Sequence, residues 1–167
     1  KFLAVLLSVA MVLGVAGCGS SNSSTKADDT KDAATTEAAS NIKVGFIFVG
    51  DENEGYTYAH VLGAKEMQEA LGLSDDQIIY KWNIPENEQC YDAAVDLAEQ
   101  GCNIIFSNSF GHEDYIIQAA QEYPDVQFCH ATGYKAASSG LSNMHNYFTS
   151  VYQSRYVSGV VAGMKLQ

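Results

Sequence analysis

Two short stretches of this chain bring hydrogen-bonding groups and aromatic rings close together. The first reads Gly50-Asp51-Glu52-Asn53-Glu54-Gly55-Tyr56-Thr57-Tyr58. Carboxylates and an amide beside aromatic plates suit a flat, polar heterocycle, because stacking on a base contributes roughly 1–3 kcal/mol. The same residues also describe an acidic surface loop in which Thr57 caps a helix. The second stretch is Ser107-Asn108-Ser109-Phe110-Gly111-His112. Hydroxyls and free backbone N–H groups ahead of a helix N-terminus can receive ligand oxygens. A plain strand-to-helix turn capped by Ser109 or Asp114 would read the same way. Trp82, the only tryptophan, either walls such a site or belongs to the core.

Catalytic chemistry has little support. The chain contains no G-x-S-x-G, H-E-x-x-H, G-x-x-x-x-G-K-[ST] or G-x-G-x-x-G pattern. His112, Glu113 and Asp114 are adjacent, but neighbouring helical residues point in different directions, which disfavours a shared metal. His60, His130 and His145 are isolated and read as structural. No catalytic residue, metal or cofactor is expected.

The elements that would position these loops follow from apolar patterning. Residues 42–49 form a nearly continuous apolar run ending in Gly50, as a strand covered on both faces would. Residues 57–72 take helical spacing, with Ala64, Met67 and Leu71 on one face and Gly72 as the stop. A second strand is expected at 78–82. A helix follows, with an acidic first turn at Glu86–Glu88 and a stripe of Cys90, Ala94, Leu97 and Gly101. Further strands are expected at 103–107, 126–130 and 146–148. Helices are expected at 114–123, stopped by Pro124, and at 150–166, with Val151, Ser158 and Ala162 inward. Alternating strands and helices argue for an α/β fold with a doubly wound parallel sheet. Ligands of such sheets sit beyond the carboxyl ends of the strands, where both loops fall.

Twenty acidic against nine basic residues leave a net charge of −11 with no basic cluster. Binding nucleic acid through its phosphates needs a positive patch, so that class of partner is excluded. Cys90, Cys102 and Cys129 are widely spaced and read as free thiols. Residues 1–18 combine a positive start, a short apolar run and small residues before Cys18, as a secretory signal does. Ala16-Gly17-Cys18 resembles the lipobox of bacterial lipoproteins, which implies lipidation at Cys18 and an anchor on the extracytoplasmic face of the cell membrane. Residues 19–40 are small and polar and read as a disordered tether. The folded region is expected over 41–167.

Five segments carry a family resemblance: IKVGFIFVG at 42–50, EGYTYAH at 54–60, SNSFGHEDY at 107–115, AAQEYPDVQFCHATGY at 119–134 and YQSRYVSGVVAG at 152–163. Their order resembles the basic membrane lipoprotein family, substrate-binding lipoproteins of ABC importers that take purines or nucleosides. The resemblance implies a type I periplasmic-binding-protein-like fold of two lobes, of which 41–167 would be the first, with the second missing. It places Tyr56 where an aromatic stacks on the base. Asn53, Glu54 and Thr57 fall where polar edges are read, and Ser107, Ser109 and Phe110 in the loop lining the cleft. With Gly55 and Trp82, these are the expected ligand-binding residues. Two departures from the family pattern are a first loop one residue shorter and Glu54 in place of Asp. The implied partners are a small purine or nucleoside ligand, an ABC permease, and the membrane through the lipid. The alternatives are a ligand-responsive sensor, and a nucleoside-processing enzyme using Glu54 and His112.

Overall fold

The structure is a computed structural model that describes residues 41–166. The proposed signal, Cys18 and the tether lie outside the described residues. Five strands form one sheet in the order β2-β1-β3-β4-β5, with every neighbouring pair parallel. They are β1 (Val44–Ile47), β2 (Ile78–Lys81), β3 (Ile104–Ser107), β4 (Gln127–Ala131) and β5 (Met144–Tyr147). The helices are α1 (Gly55–Leu71), α2 (Glu88–Glu99), α3 (Glu113–Glu122), α4 (Ala136–Ser139) and α5 (Val151–Lys165). Short 3-10 turns occupy Asp75–Gln77 and Phe110–His112.

Alternation along β1 divides the core. Val44, Phe46 and Phe48 pack with Val61 and Ala64 of α1 on one face of the sheet. Ile47 faces the other side, with Leu97 and Cys90 of α2 and Ile116 and Ala119 of α3. This is the period-two division of a strand buried on both faces. Gly45 lies on the α2 side, where a Cβ would come within 2.9 Å of Leu97. The absence of a side chain there lets α2 close onto the sheet.

Several expected boundaries move. Hydrogen-bonded pairing trims β1 to four residues, and β5 starts earlier than expected, at Met144. Gly72 closes α1 in the left-handed conformation, φ 64°, as its sequence position suggested. Leu71 departs from its expected face and is 44% exposed, because the helix ends before that turn reaches the sheet. Gly101 is not part of the α2 stripe. The helix ends at Glu99, and Gly101, φ 84°, turns the chain into β3. Glu86 precedes α2 rather than opening it. The largest correction concerns α5, where Val151, Ser158 and Ala162 are exposed along with every other residue of the helix. Apolar spacing marks a face that favours cover, but it does not show that the described residues supply it.

The two kinds of leucine give a direct check. Leu97→Ala, at a fully buried site, should lower the unfolding free energy by about 2–5 kcal/mol. Leu71→Ala should change it by only about 0.5 kcal/mol. Urea titration of both variants measures the difference.

Candidate ligand-binding site

Chain order reverses between β1 and β3. From β1 the chain steps outward to β2, then returns to the other side of β1 to place β3. The loops leaving these two strands therefore diverge and leave a crevice at the carboxyl edge. Both chemistry-bearing stretches of the sequence end there.

Asn108 ties the crevice together. Fully buried, it accepts the Val49 N–H through Oδ1 at 2.9 Å and points its amide nitrogen at Thr57 Oγ1, 3.5 Å away. Its backbone N–H donates to the Ile47 carbonyl at 3.2 Å, and its own carbonyl accepts the Tyr56 hydroxyl. One side chain and its peptide thus join the ends of β1 and β3 to the start of α1. Tyr56, 43% exposed, is held by its hydroxyl with the ring edge-on to His60. A ring fixed at one end and open on a face is suited to stacking.

Glu54, rather than Thr57, caps α1. Its two carboxylate oxygens accept the N–H groups of Tyr56 at 2.8 Å and Thr57 at 2.7 Å. Those bonds, that of Thr57 first, hold the Glu54 carboxyl below its ordinary value. Thr57 is fully buried beneath the first turn, and Gly55 opens the helix with space around it. Asn53 borders a shallow depression of about 450 Å³ with Asp51, Glu52, Trp82 and Asn83. Trp82 is half-buried, stacked on Tyr80 at 5.2 Å and tilted against Phe48 at 5.1 Å. It both packs against the core and edges the depression.

The loop after β3 is fixed from below. The Ser107 hydroxyl meets His112 Nδ1 at 2.8 Å, and His112 Nε2–H donates to the Ile84 carbonyl at 3.0 Å. Ser107 therefore faces the interior rather than the crevice. Ser109 donates its hydroxyl to Glu86 Oε1 at 2.6 Å, and the same oxygen accepts the Gly111 N–H at 2.8 Å. These two donors, that of Ser109 first, hold the Glu86 carboxyl low. Phe110 is exposed and stacks with Tyr134 at 6.4 Å. The sequence reading missed Glu86 and Asn108 as organisers of this edge. Asn108 stands within the second stretch, but no local pattern reports either role, since the partners of the two residues lie 23 to 61 positions away.

Beyond β4, the buried Glu113 accepts at Oε1 from the N–H groups of Tyr134 and Lys135, both at 2.7 Å, and from the Asn146 amide at 3.1 Å. His130 Nε2–H donates to the Ser109 carbonyl at 2.6 Å, and its Nδ1 faces the Asn146 amide. A Cβ at Gly133 would collide with Glu113, His130 and Asn146. His112 and Glu113 therefore serve the fold, and among the described residues no His, Cys, Asp or Glu cluster is arranged to hold a metal. The three thiols are free, Cys90 and Cys102 within the core. Burial pushes the Cys90 thiol up to about 12.

Residues 41–167 match the family model of the PnrA-like ABC transporter substrate-binding proteins. The chain belongs to that family. A purine-binding protein of Brucella abortus is 39% identical over 126 residues, 75% of this chain and 35% of that protein. A Haloferax volcanii protein named as an ABC transporter glucose-binding protein is 24% identical over 87% of this chain and 36% of its own length. An ABC transporter solute-binding protein of Conexibacter woesei shares the fold, with TM-score 0.55 at 21% identity over 64% of this chain and 35% of that one. The chain thus spans about a third of the length of the relatives it matches. The PnrA-like family is one of substrate-binding proteins rather than enzymes. In this member both Glu54 carboxylate oxygens accept backbone N–H groups, and His112 is held between the Ser107 hydroxyl and the Ile84 carbonyl.

Burial pushes both His112 and His130 below the ordinary histidine value of 6.5, so both are neutral in the fold. The unfolded chain takes up protons near 6.5, which disfavours folding as pH falls from there until the buried rings also protonate. The low-lying carboxyls of Glu54 and Glu86 act only in a more acidic range. Melting temperature should therefore fall between about pH 7 and about pH 5, with a shallower slope in His130→Gln. Calorimetric scans across that range check it.

Proposed function

We propose that this chain is the first lobe of a lipid-anchored, extracytoplasmic receptor that captures a purine or purine nucleoside and delivers it to an ABC permease. The observation that carries this reading is Tyr56, a half-exposed ring pinned by Asn108 at the crevice between β1 and β3. Base stacking there is sequence-tolerant chemistry worth roughly 1–3 kcal/mol, and the residues framing it offer amide and carboxylate groups for ring edges. The Brucella relative named for purine binding supports the same ligand class. The exposed apolar side chains of α5, among them Tyr156, Val157, Val161 and Met164, suit burial against a second lobe. A ligand closed between two lobes gains contacts on both sides and loses water. The address rests on Cys18 and the residues before it, and the tether would hold the lobe clear of the headgroups.

Binding by the full-length protein tests the reading. Adenosine, inosine or a free purine at 100 times its dissociation constant should stabilise the fold by about 2.7 kcal/mol, seen as a rise in melting temperature. Glucose should give no shift. Tyr56→Ala should weaken purine binding by about 5- to 100-fold, while Tyr56→Phe keeps the stacking face and loses much less. A shift with glucose and none with any purine at millimolar levels contradicts the assignment.

A further inference from the structure

A second feature lies at the far end of the carboxyl edge. At the ends of β4 and β5 a cavity of about 110 Å³ has Thr132, Tyr147, Phe148, Thr149, Val151 and Arg155 among its lining residues. Arg155 is the only arginine in the sequence. Lys65, Lys81 and Lys135 pair with Glu52, Asp96 and Asp114, but no carboxylate or carbonyl among the described residues meets the Arg155 guanidinium. Thr132 has two anomalies. Its backbone is left-handed, φ 68°, which a β-branched residue adopts only under strain. Its hydroxyl oxygen is buried without a hydrogen-bond partner, in a fold where buried polar groups are nearly always paired. The strain is held in place by the surroundings. The Thr132 N–H donates to the Tyr147 carbonyl at 3.0 Å, and Glu113 secures the N–H groups of Tyr134 and Lys135, two and three residues on.

We propose that Arg155 reads the O6 and N7 edge of a 6-oxopurine, so that the cleft selects hypoxanthine- and guanine-type bases over adenine. This rests on the purine reading of the carboxyl edge and names the class within it. A guanidinium presents two parallel N–H donors, and O6 with N7 is the matching pair of acceptors on a purine. Adenine places an amino group beside N7, so one N–H would face another. The 6-oxopurine also carries a proton on N1, next to O6, which offers the unpaired Thr132 hydroxyl a donor. Apolar and aromatic walls suit a ring better than a hydrated ion. Burial pushes the Tyr147 phenol up, consistent with a wall that excludes water.

Isothermal titration of the full-length protein tests this with inosine, adenosine and 7-deazainosine. Inosine should bind at least about tenfold tighter than adenosine, and 7-deazainosine should lose that advantage. Arg155→Gln and Arg155→Lys should each cost inosine about tenfold or more without weakening adenosine, since lysine keeps the charge and loses the fork, and a glutamine amide matches N6 and N7 of adenine. No internal bond of the described residues is lost in either variant, and equal melting temperatures without ligand confirm intact folds. Equal affinity for inosine and adenosine, or an Arg155→Gln protein that binds both as wild type does, overturns the proposal and leaves the purine reading standing. Competition of inorganic phosphate with inosine that disappears in Arg155→Gln overturns it in favour of an oxyanion site. Failure of all the nucleosides and free purines to bind wild type removes the purine reading, and this inference with it.

Discussion

One oxygen atom, Glu113 Oε1, holds the far half of the carboxyl edge. It takes N–H donors from two consecutive peptides, those of Tyr134 and Lys135, and from the Asn146 side chain, and it does so almost fully buried. A parallel sheet places the ends of its strands and the starts of its helices together at one edge, so backbone donors there need partners from within the protein. Each left unpaired would cost about 1–3 kcal/mol. Glu113 meets two of them at the turn after β4 and fixes β5 through Asn146, whose own oxygen accepts the Ala136 N–H at 2.8 Å. His130 and Gly133 pack against the same group. The left-handed backbone of Thr132 persists because of this arrangement.

Asn108 plays the corresponding part for the near half, and Glu86 fixes the loop between. A division of labour follows across the edge. Glu54, Thr57, Ser107 and Ser109 all have hydrogen-bond partners that set backbone geometry. Tyr56, Phe110, Asn53 and Arg155 keep surface open to an incoming molecule. The polar letters of the sequence motifs mostly build the scaffold, and the rings with a few long side chains are left to touch the ligand. A receptor that binds and releases without chemistry requires this kind of rigidity more than it requires reactive groups.

The fold was legible because buried parallel strands leave apolar runs and their helices leave stripes. Residues 42–49 and the Cys90, Ala94 and Leu97 stripe carried that signal plainly. That both loops fall at the carboxyl edge was legible too, whereas the strand order that opens a crevice between β1 and β3 was not. Less of the detail could be read. Glu54 as a cap was hidden because Ser, Thr, Asp and Asn are the usual caps. Glu86 reaches Ser109 across 23 positions, and no local pattern reports such a bond. The conformation of Thr132 is imposed by tertiary packing against the preference of its own side chain. On α5 the apolar spacing was read as a buried face, yet spacing records only that a face favours cover, and here the described residues leave it exposed.

The central claim is that the ligand lies across the carboxyl edge, over the crevice between β1 and β3 and toward the ends of β4 and β5. Backbone amide shift mapping of the full-length protein titrated with hypoxanthine tests it most directly. The account predicts that within this lobe the large shifts cluster at 53–57, 107–111 and 131–155, with little change in α2 or at the amino ends of the strands. Shifts concentrated instead in the apolar cavity of about 280 Å³ beneath α1, around Phe46, Met67 and Phe106, or at the opposite edge of the sheet, would contradict it.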